Sequence, residues 1–292
     1  MLRGIIIRAV GGFYDVRAED GTEYRCSARG RFKKDGTAIY VGDRACITPL
    51  FAQEGVLDAV ELRETLFPRP QIANVEQVVI VCAPQKPQLS LQLLDRLLVL
   101  AENEQLRAII CMNKADLPHE EAEQSLRNLY ENAGYLLFMT SAKFGQGIEE
   151  LKQQLCGRIS VLAGPSGVGK SSLLNSIQPG LKLRIGEISE KLKSGRHTTR
   201  QVELLALDCG GLVADTPGFN QLLLAAVSPQ RLPLCFPEFF SFAPQCRFNP
   251  CRHRSEPDCA VKKAVASGKI AESRYKNYLV FLDEVLTQER RY

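Results

Sequence analysis

The sequence predicts three parts: a small N-terminal β-barrel, a parallel α/β sheet that carries a phosphate-binding loop, and a mainly helical C-terminal part stapled by a metal. Three observations carry this reading. Residues 1–70 alternate short β-rich runs with glycine turns, residues 71–225 alternate apolar strands with amphipathic helices, and three cysteines and a histidine crowd into 246–259. A chain of 292 residues, 45% apolar and 24% charged, is long enough to bury more than one core and contains no stretch that composition alone would leave disordered.

The barrel is read from G-I-I-I-R-A-V, F-Y-D-V-R, T-E-Y-R-C-S-A and T-A-I-Y-V-G-D-R-A-C-I-T-P, separated by Gly11-Gly12, Asp20-Gly21, Asp35-Gly36 and Gly42-Asp43. Period-two runs between tight turns suit a closed antiparallel barrel. Arg25, Arg29, Arg31, Lys33 and Lys34, with Phe13, Tyr14, Tyr24 and Phe32 nearby, suggest a surface that could hold RNA; a charged loop over an aromatic core is the plainer alternative. Pro68 and Pro70 close this part.

From Val78 the rhythm changes to V-V-I-V-C-A, a helix over Ser90 to Asn103, A-I-I-C-M, a helix over His119 to Asn132, Y-L-L-F-M-T and a helix over Gly147 to Cys156. Continuous apolar strands alternating with helices imply a parallel sheet covered on both faces. Next comes I-S-V-L-A-G-P-S-G-V-G-K-S-S-L-L-N, residues 159–175. Gly164, Gly169, Lys170 and Ser171 fill the fixed places of G-x-x-x-x-G-K-[ST], and Pro165, Ser166, Gly167, Val168 and Ser172 complete the loop. Glycines let backbone N–H groups converge on phosphate oxygens, and the helix after the loop adds its positive end. Lys170 is expected to reach the β/γ-phosphates and the Ser171 hydroxyl to bind Mg²⁺.

Asn113-Lys114-Ala115-Asp116 ends the strand A-I-I-C-M. Guanine presents N1–H and N2–H side by side, and the Asp116 carboxylate can accept both; adenine cannot supply that pair. Asn113 would tie this loop to its neighbours and the Lys114 stem would pack on the base. Ser141-Ala142-Lys143 comes after Y-L-L-F-M-T, where the Ala142 N–H could reach guanine O6. Asp215-Thr216-Pro217-Gly218 lies 45 residues after Lys170; Asp215 would hold a Mg²⁺-bound water and the Gly218 N–H would meet the γ-phosphate. Between them, Gly195 to Arg200 offers Thr199, preferred over Thr198, to complete the Mg²⁺ shell. These are five GTPase elements in the order base loop, Ser-Ala-Lys loop, phosphate loop, switch I, switch II, a circular permutation of the usual order. Phe219 stands where Ras-like enzymes carry a water-orienting glutamine, so intrinsic hydrolysis is expected to be slow, and Gly167 stands where potassium-activated relatives carry an asparagine. His197 is either a group that positions water once a partner orders its loop or an exposed loop histidine.

Residues 226–292 begin rich in proline and phenylalanine and end in a helix over Ile270 to Gln288. Cys246, Cys251, His253 and Cys259 offer three thiolates and an imidazole, the set expected of a closed structural Zn²⁺ site with no open position; buried or free thiols are the other reading. Cys235 is a possible competitor. The ten cysteines otherwise read as thiols rather than disulfides, since the N-terminus has only a three-residue apolar run before Arg8, too short for a signal peptide or membrane span; the expected compartment is the cytoplasm. Formal charge is +4 overall, and the surplus sits in the tail, where 11 Lys/Arg face 7 Asp/Glu. Such a surplus fits a polyanionic partner or a solvated helix face.

The permuted motif order, the barrel and the Cys-Cys-His-Cys cluster together resemble the ribosome small-subunit-dependent GTPase A family. The resemblance spans the whole chain. It implies an oligonucleotide-binding (OB-fold) barrel over 1–70, a circularly permuted α/β P-loop GTPase domain over 71–225 and a zinc-binding domain over 226–292, in a monomer without membrane attachment. It also implies action late in maturation of the small ribosomal subunit, through contact with its rRNA, with GTP hydrolysis stimulated by that subunit. An RNA-binding module that GTP merely locks, and a metabolic P-loop kinase, are the other readings; no acceptor-substrate domain supports the last.

Overall fold

The computed structural model describes residues 1–30, 32, 35–68, 70–118, 120–181, 202–215 and 224–289. The chain falls into two compact units, Met1–Gln77 with Leu151–Leu162 and Leu174–Gly218, and Val78–Glu150 with Ala163–Leu173 and Phe219–Tyr292.

In the first unit, β1 (Leu2–Val10), β2 (Phe13–Ala18), β3 (Glu23–Ala28), β4 (Arg44–Pro49) and β5 (Glu54–Val60) close a barrel in the order β1-β2-β3-β5-β4. β1 pairs antiparallel with β2 and β4, while β3 meets β5 in parallel, the five-stranded closure of an OB-fold. Alternate residues Ile6, Val16, Cys26, Ile47 and Leu57 fill the interior, and Phe32 joins them. A short hairpin of β6 (Leu66–Pro68) and β7 (Gln71–Ala73) comes next.

A second sheet has six strands, β8 (Gln77–Cys82), β9 (Arg107–Met112), β10 (Leu136–Met139), β11 (Ile159–Ala163), β12 (Leu204–Ala206) and β13 (Leu212–Asp215), ordered β10-β9-β8-β11-β13-β12. Every residue of β8 and β11 is buried, as strands covered on both faces require. β9 pairs in parallel with β10 and β11 with β13, as expected, whereas β12 runs antiparallel to β13, because residues 207–211 form a tight turn that leaves no room for a crossover.

Helices α1 (Leu91–Asn103), α2 (Glu120–Glu131), α3 (Ile148–Leu155) and α4 (Lys170–Ile177) connect these strands. The Ser90 hydroxyl caps α1 by accepting from the Leu93 N–H at 3.3 Å. Leu94, Leu97, Leu98 and Ala101 of α1 are buried at one-face spacing. The expectation of free thiols is corrected at one place, where Cys156 and Cys209 form a disulfide with Cα atoms 5.1 Å apart. Parallel pairing sets Ile159 beside Leu212, and each cysteine lies three residues upstream of its strand partner, so a register invisible in the linear sequence brings them together.

The C-terminal part packs α5 (Ala260–Ala266) and α6 (Glu272–Glu289) with short 3₁₀ turns around Phe236, Phe239, Tyr278, Phe281 and Leu282. In the second unit α6 is fastened to α1 by ionic contacts. Arg274, 1% exposed, donates to Asp95 at 2.7 Å and to Glu238 at 2.7 and 3.0 Å, while Tyr130 and Asn277 also donate to Asp95. Arg96 adds a bidentate pair with Glu284 at 2.8 and 2.5 Å. Among the described residues no helix is long and apolar enough to cross a membrane.

Removing one side of a buried ion network strands the other. Arg274→Ala is therefore expected to lower unfolding free energy by about 3–5 kcal/mol. With no tryptophan in the chain, denaturant unfolding monitored by far-UV circular dichroism measures it, and a loss below about 1 kcal/mol would contradict the assigned role.

Candidate nucleotide-binding site and metal centre

β11 runs directly into the loop 164–169 and α4 begins at Lys170. Gly164, Gly167 and Gly169 all have positive φ, of 137°, 82° and 96°. At two of them space is also decisive: a Cβ would stand 2.0 Å from the Val81 carbonyl oxygen at Gly164 and 2.5 Å from Asn113 Nδ2 at Gly169. The loop can thus press against β8 and the base loop only as glycine. Lys170 Nζ donates to the carbonyls of Gly164 at 2.9 Å and Pro165 at 3.1 Å, which sets its charge over the loop. The Leu173 N–H closes the first helical turn on Gly169 at 2.8 Å. Ser166 and Val168 complete this curve and Ser171 and Ser172 open α4.

Asn113 comes directly after β9 and is 1% exposed. Its backbone N–H donates to Cys82 O at 2.8 Å and its Nδ2 to Val168 O at 2.9 Å, while its Oδ1 accepts from the Ala142 N–H at 3.2 Å and Thr140 Oγ1 at 3.4 Å. One carboxamide thereby joins the loop after β9, the phosphate loop and the loop after β10. Lys114 adopts φ 62°, and its Nζ donates to Gly167 O at 2.7 Å and to Lys86 O. The Ser141 hydroxyl donates to Asp116 Oδ1 at 2.6 Å, and this hydrogen bond holds the carboxyl below its ordinary range. Lys143 lies over the Phe144 ring at 4.8 Å. The structure therefore brings together Asn113, Lys114, Asp116, Ser141, Ala142, Gly164, Gly167, Val168, Gly169 and Lys170.

Asp215 is placed by its backbone at the end of β13, opposite Leu162 of β11. His197, Thr198, Thr199, Thr216, Pro217, Gly218 and Phe219 lie outside the described residues. So do Arg31, Lys33 and Lys34 of the barrel's basic group. Of the rest of that group, Arg25 stands 5.2 Å over the half-exposed Phe13 ring, and Arg29 is paired with the buried Asp58 at 2.6 Å. Phe32 is a core residue, and Tyr14 and Tyr24 pack against the same core.

Sγ of Cys246, Cys251 and Cys259 and a ring nitrogen of His253 all lie within 4.8 Å of one another. Cys246 Sγ is 3.6 Å from His253 Nδ1 and 3.8 Å from Cys259 Sγ, and Cys259 Sγ is 3.3 Å from Nδ1. The cluster could hold one metal ion. Burial pushes the His253 imidazole below its ordinary pKa, favouring the neutral form that ligates. The ligand loop is held from behind: Tyr275 donates to His253 O at 2.7 Å, Tyr278 to Arg252 O at 2.5 Å, and Glu256 accepts from the Arg252 and Arg254 N–H groups at 2.9 Å each. No motif in the sequence marked these two tyrosines; their spacing on α6 reads simply as core. Cys235 stands apart from the cluster, buried, with its thiol pushed up to about 12 by burial. Arg247 and Arg254 lie between ligands but are paired with Asp258 at 3.3 Å and Asp283 at 2.6 Å, so the cluster is less basic than its sequence.

Known proteins resemble this chain along its whole length. Residues 60–225 match the family model described as RsgA GTPase, and residues 3–57 match the RsgA N-terminal domain. The chain is 50% identical over 291 residues, covering 100% of both chains, to the Moorella thermoacetica protein named Small ribosomal subunit biogenesis GTPase RsgA. Among solved structures, YjeQ from Thermotoga maritima superposes with a TM-score of 0.86 at 43% identity, covering 98% of each chain. YloQ, described as a circularly permuted GTPase, gives 0.86 at 36% identity, covering 100% of this chain and 97% of that one. With matches that span barrel and sheet alike, the chain belongs to the RsgA family of circularly permuted GTPases.

Proposed function

We propose that this chain hydrolyses GTP to GDP and phosphate, binds the small ribosomal subunit through its rRNA, and acts late in that subunit's maturation, with turnover stimulated by the subunit. The observation that carries the reading is the hydrogen-bonded junction of three loops at Asn113. The full-length relatives named for small-subunit biogenesis support the partner.

In this reading Asp116 accepts guanine N1–H and N2–H, and the Ala142 N–H approaches O6. The backbone N–H groups of 164–172 hold the phosphates and Lys170 neutralises the β/γ charge. Ser171 and Thr199 would hold Mg²⁺, with Asp215 holding one of its waters, and the ion would supply neutralisation of the phosphate charge. Gly218 meets the γ-phosphate, and His197 is the candidate that positions the attacking water once the subunit orders its loop, since Phe219 cannot. The OB-fold barrel, 1–70, offers its Phe13 and Arg25 face to RNA; 71–225 is the GTPase domain and 226–292 the zinc domain. The protein works as a cytoplasmic monomer.

The metal is Zn²⁺. A tetrahedral site with Zn–S about 2.3 Å and Zn–N about 2.0 Å spaces its ligands about 3.8 Å sulfur to sulfur and about 3.5 Å sulfur to nitrogen. Three of the six separations in the cluster, 3.8, 3.6 and 3.3 Å, lie near those values, and all four ligand atoms fall within 4.8 Å of one another.

Hydrolysis of GTP and ATP with and without purified small subunits tests the function. Subunit-stimulated GTP turnover is expected, with little ATP turnover. Lys170→Ala should cut turnover by about 100-fold or more, and full activity in that variant would overturn the site. If GTP only locked an RNA-binding shape, turnover would stay unstimulated while subunit affinity tracked nucleotide state.

Asp116→Asn replaces an acceptor with an amide, which should cost GTP about 100-fold in affinity and favour xanthosine triphosphate, whose O2 accepts. Unchanged discrimination would contradict the assignment. Because the Ser141 hydrogen bond holds the Asp116 carboxyl below its ordinary pKa, the preference for GTP over ATP, whose terminal phosphates titrate alike, should stay flat from about pH 8 to pH 5. Elemental analysis should find one zinc per chain, lost in Cys251→Ser.

A further inference from the structure

Cys156 comes directly after the last residue of α3, and Cys209 lies in the turn between β12 and β13. Their Cα separation of 5.1 Å falls inside the window a disulfide needs. The turn is pressed against the end of α3: a Cβ at Gly211 would lie 2.2 Å from Leu155 O. It is closed by Leu207 N–H to Gly211 O at 2.8 Å and Gly210 N–H to Leu207 O at 3.0 Å. From the end of α4, Gln178 grips the same turn, donating to Ala206 O at 3.3 Å and accepting from the Asp208 N–H at 2.8 Å.

The other eight cysteines are poor competitors for oxidation. Cys26, Cys82, Cys111 and Cys235 are buried, and burial pushes the thiols of Cys26 and Cys111 up to about 11 and about 12. Cys246, Cys251 and Cys259 belong to the cluster that could hold a metal, whose occupancy would protect them. Cys46 is half-buried within a barrel strand. Cys156 and Cys209 are both partly exposed and already within bonding reach, so neither partner has to unfold to pair.

We propose that Cys156 and Cys209 are a reversible redox site, a latch whose disulfide fixes the β12–β13 turn to the end of α3 and whose reduction releases it. Oxidation needs an external disulfide of the glutathione class. One thiolate attacks it, forming a mixed disulfide and expelling one glutathione thiolate; the second cysteine attacks the mixed disulfide and expels the other. Two electrons thus pass from the cysteine pair to the external disulfide, and two protons leave the thiols. A dithiol of the thioredoxin class reverses both steps. The latch itself stands on geometry. The link from the latch to GTP hydrolysis rests on the function proposed above, in which the turn lies along the chain between 195–200 and 215–218.

The test uses full-length, zinc-loaded protein without nucleotide, equilibrated in oxidised or reduced glutathione. Differential alkylation with peptide mass spectrometry reads the pairing, and hydrogen exchange reads residues 204–215. In oxidising buffer the Cys156–Cys209 peptide pair is expected, with turn amides exchanging about 10-fold more slowly and a melting temperature about 5–10 °C higher, because the bond closes a separation of 53 residues. Cys156→Ser and Cys209→Ser should each behave like the reduced protein in both buffers. Alkylation of both cysteines under oxidising conditions, or equal exchange in the two buffers, would overturn the proposal. GTP turnover measured separately on the reduced protein reports on the proposed function, so either can fail alone.

Discussion

A buried carboxamide holds the nucleotide site in register. Asn113 spends its amide donor on the phosphate loop and its oxygen on the loop after β10, while its own backbone is tied to β8. These bonds lie where water cannot replace them, so each partner left unpaired would cost about 1–3 kcal/mol. Gly169 shows the same constraint from the other side, since any side chain there would collide with that carboxamide. The phosphate loop and base loop are therefore shaped against each other, and neither would keep its geometry alone.

This dependence explains why the motif order can be rearranged. A site built from loops at strand ends needs those ends adjacent, and the sheet order β10-β9-β8-β11-β13-β12 delivers them whichever connection is made first. The rearrangement does alter the path of the chain beyond the site. After Asp215 it goes on into the metal-bearing segment, whose α6 is bound to α1 through the buried Arg274 network. Burying a guanidinium with two carboxylates gains little net stability over apolar packing, but it fixes one geometry. A rigid seat for the metal-bearing part beside the helix after β8 is its structural result.

Most of the architecture was legible in the sequence because it is written in local patterns. The α1 span Leu91–Asn103 is set by a serine cap and one apolar stripe, the phosphate loop by its glycines, and the metal cluster by four ligands within 14 residues. The features that were not legible depend on register or burial. The Cys156–Cys209 pair exists only because β11 and β13 align, and the antiparallel turn of β12 only because five residues suffice to close it. The positive surplus of the tail counts Arg247 and Arg254 as cations, but the fold pairs them with Asp258 and Asp283. Phe32, grouped with the barrel's RNA-facing aromatics, packs inside, because amphipathic neighbours in a sequence do not reveal which face of a small barrel a turn presents.

Three loops, joined through one buried amide, are the proposed grip on a single guanine nucleotide. Calorimetric titration of Asn113→Ala with GDP, on protein shown to be folded by circular dichroism, tests this claim most directly. A loss of affinity of about 10- to 100-fold is predicted, with one binding site retained. GDP affinity equal to that of the unaltered chain would contradict it.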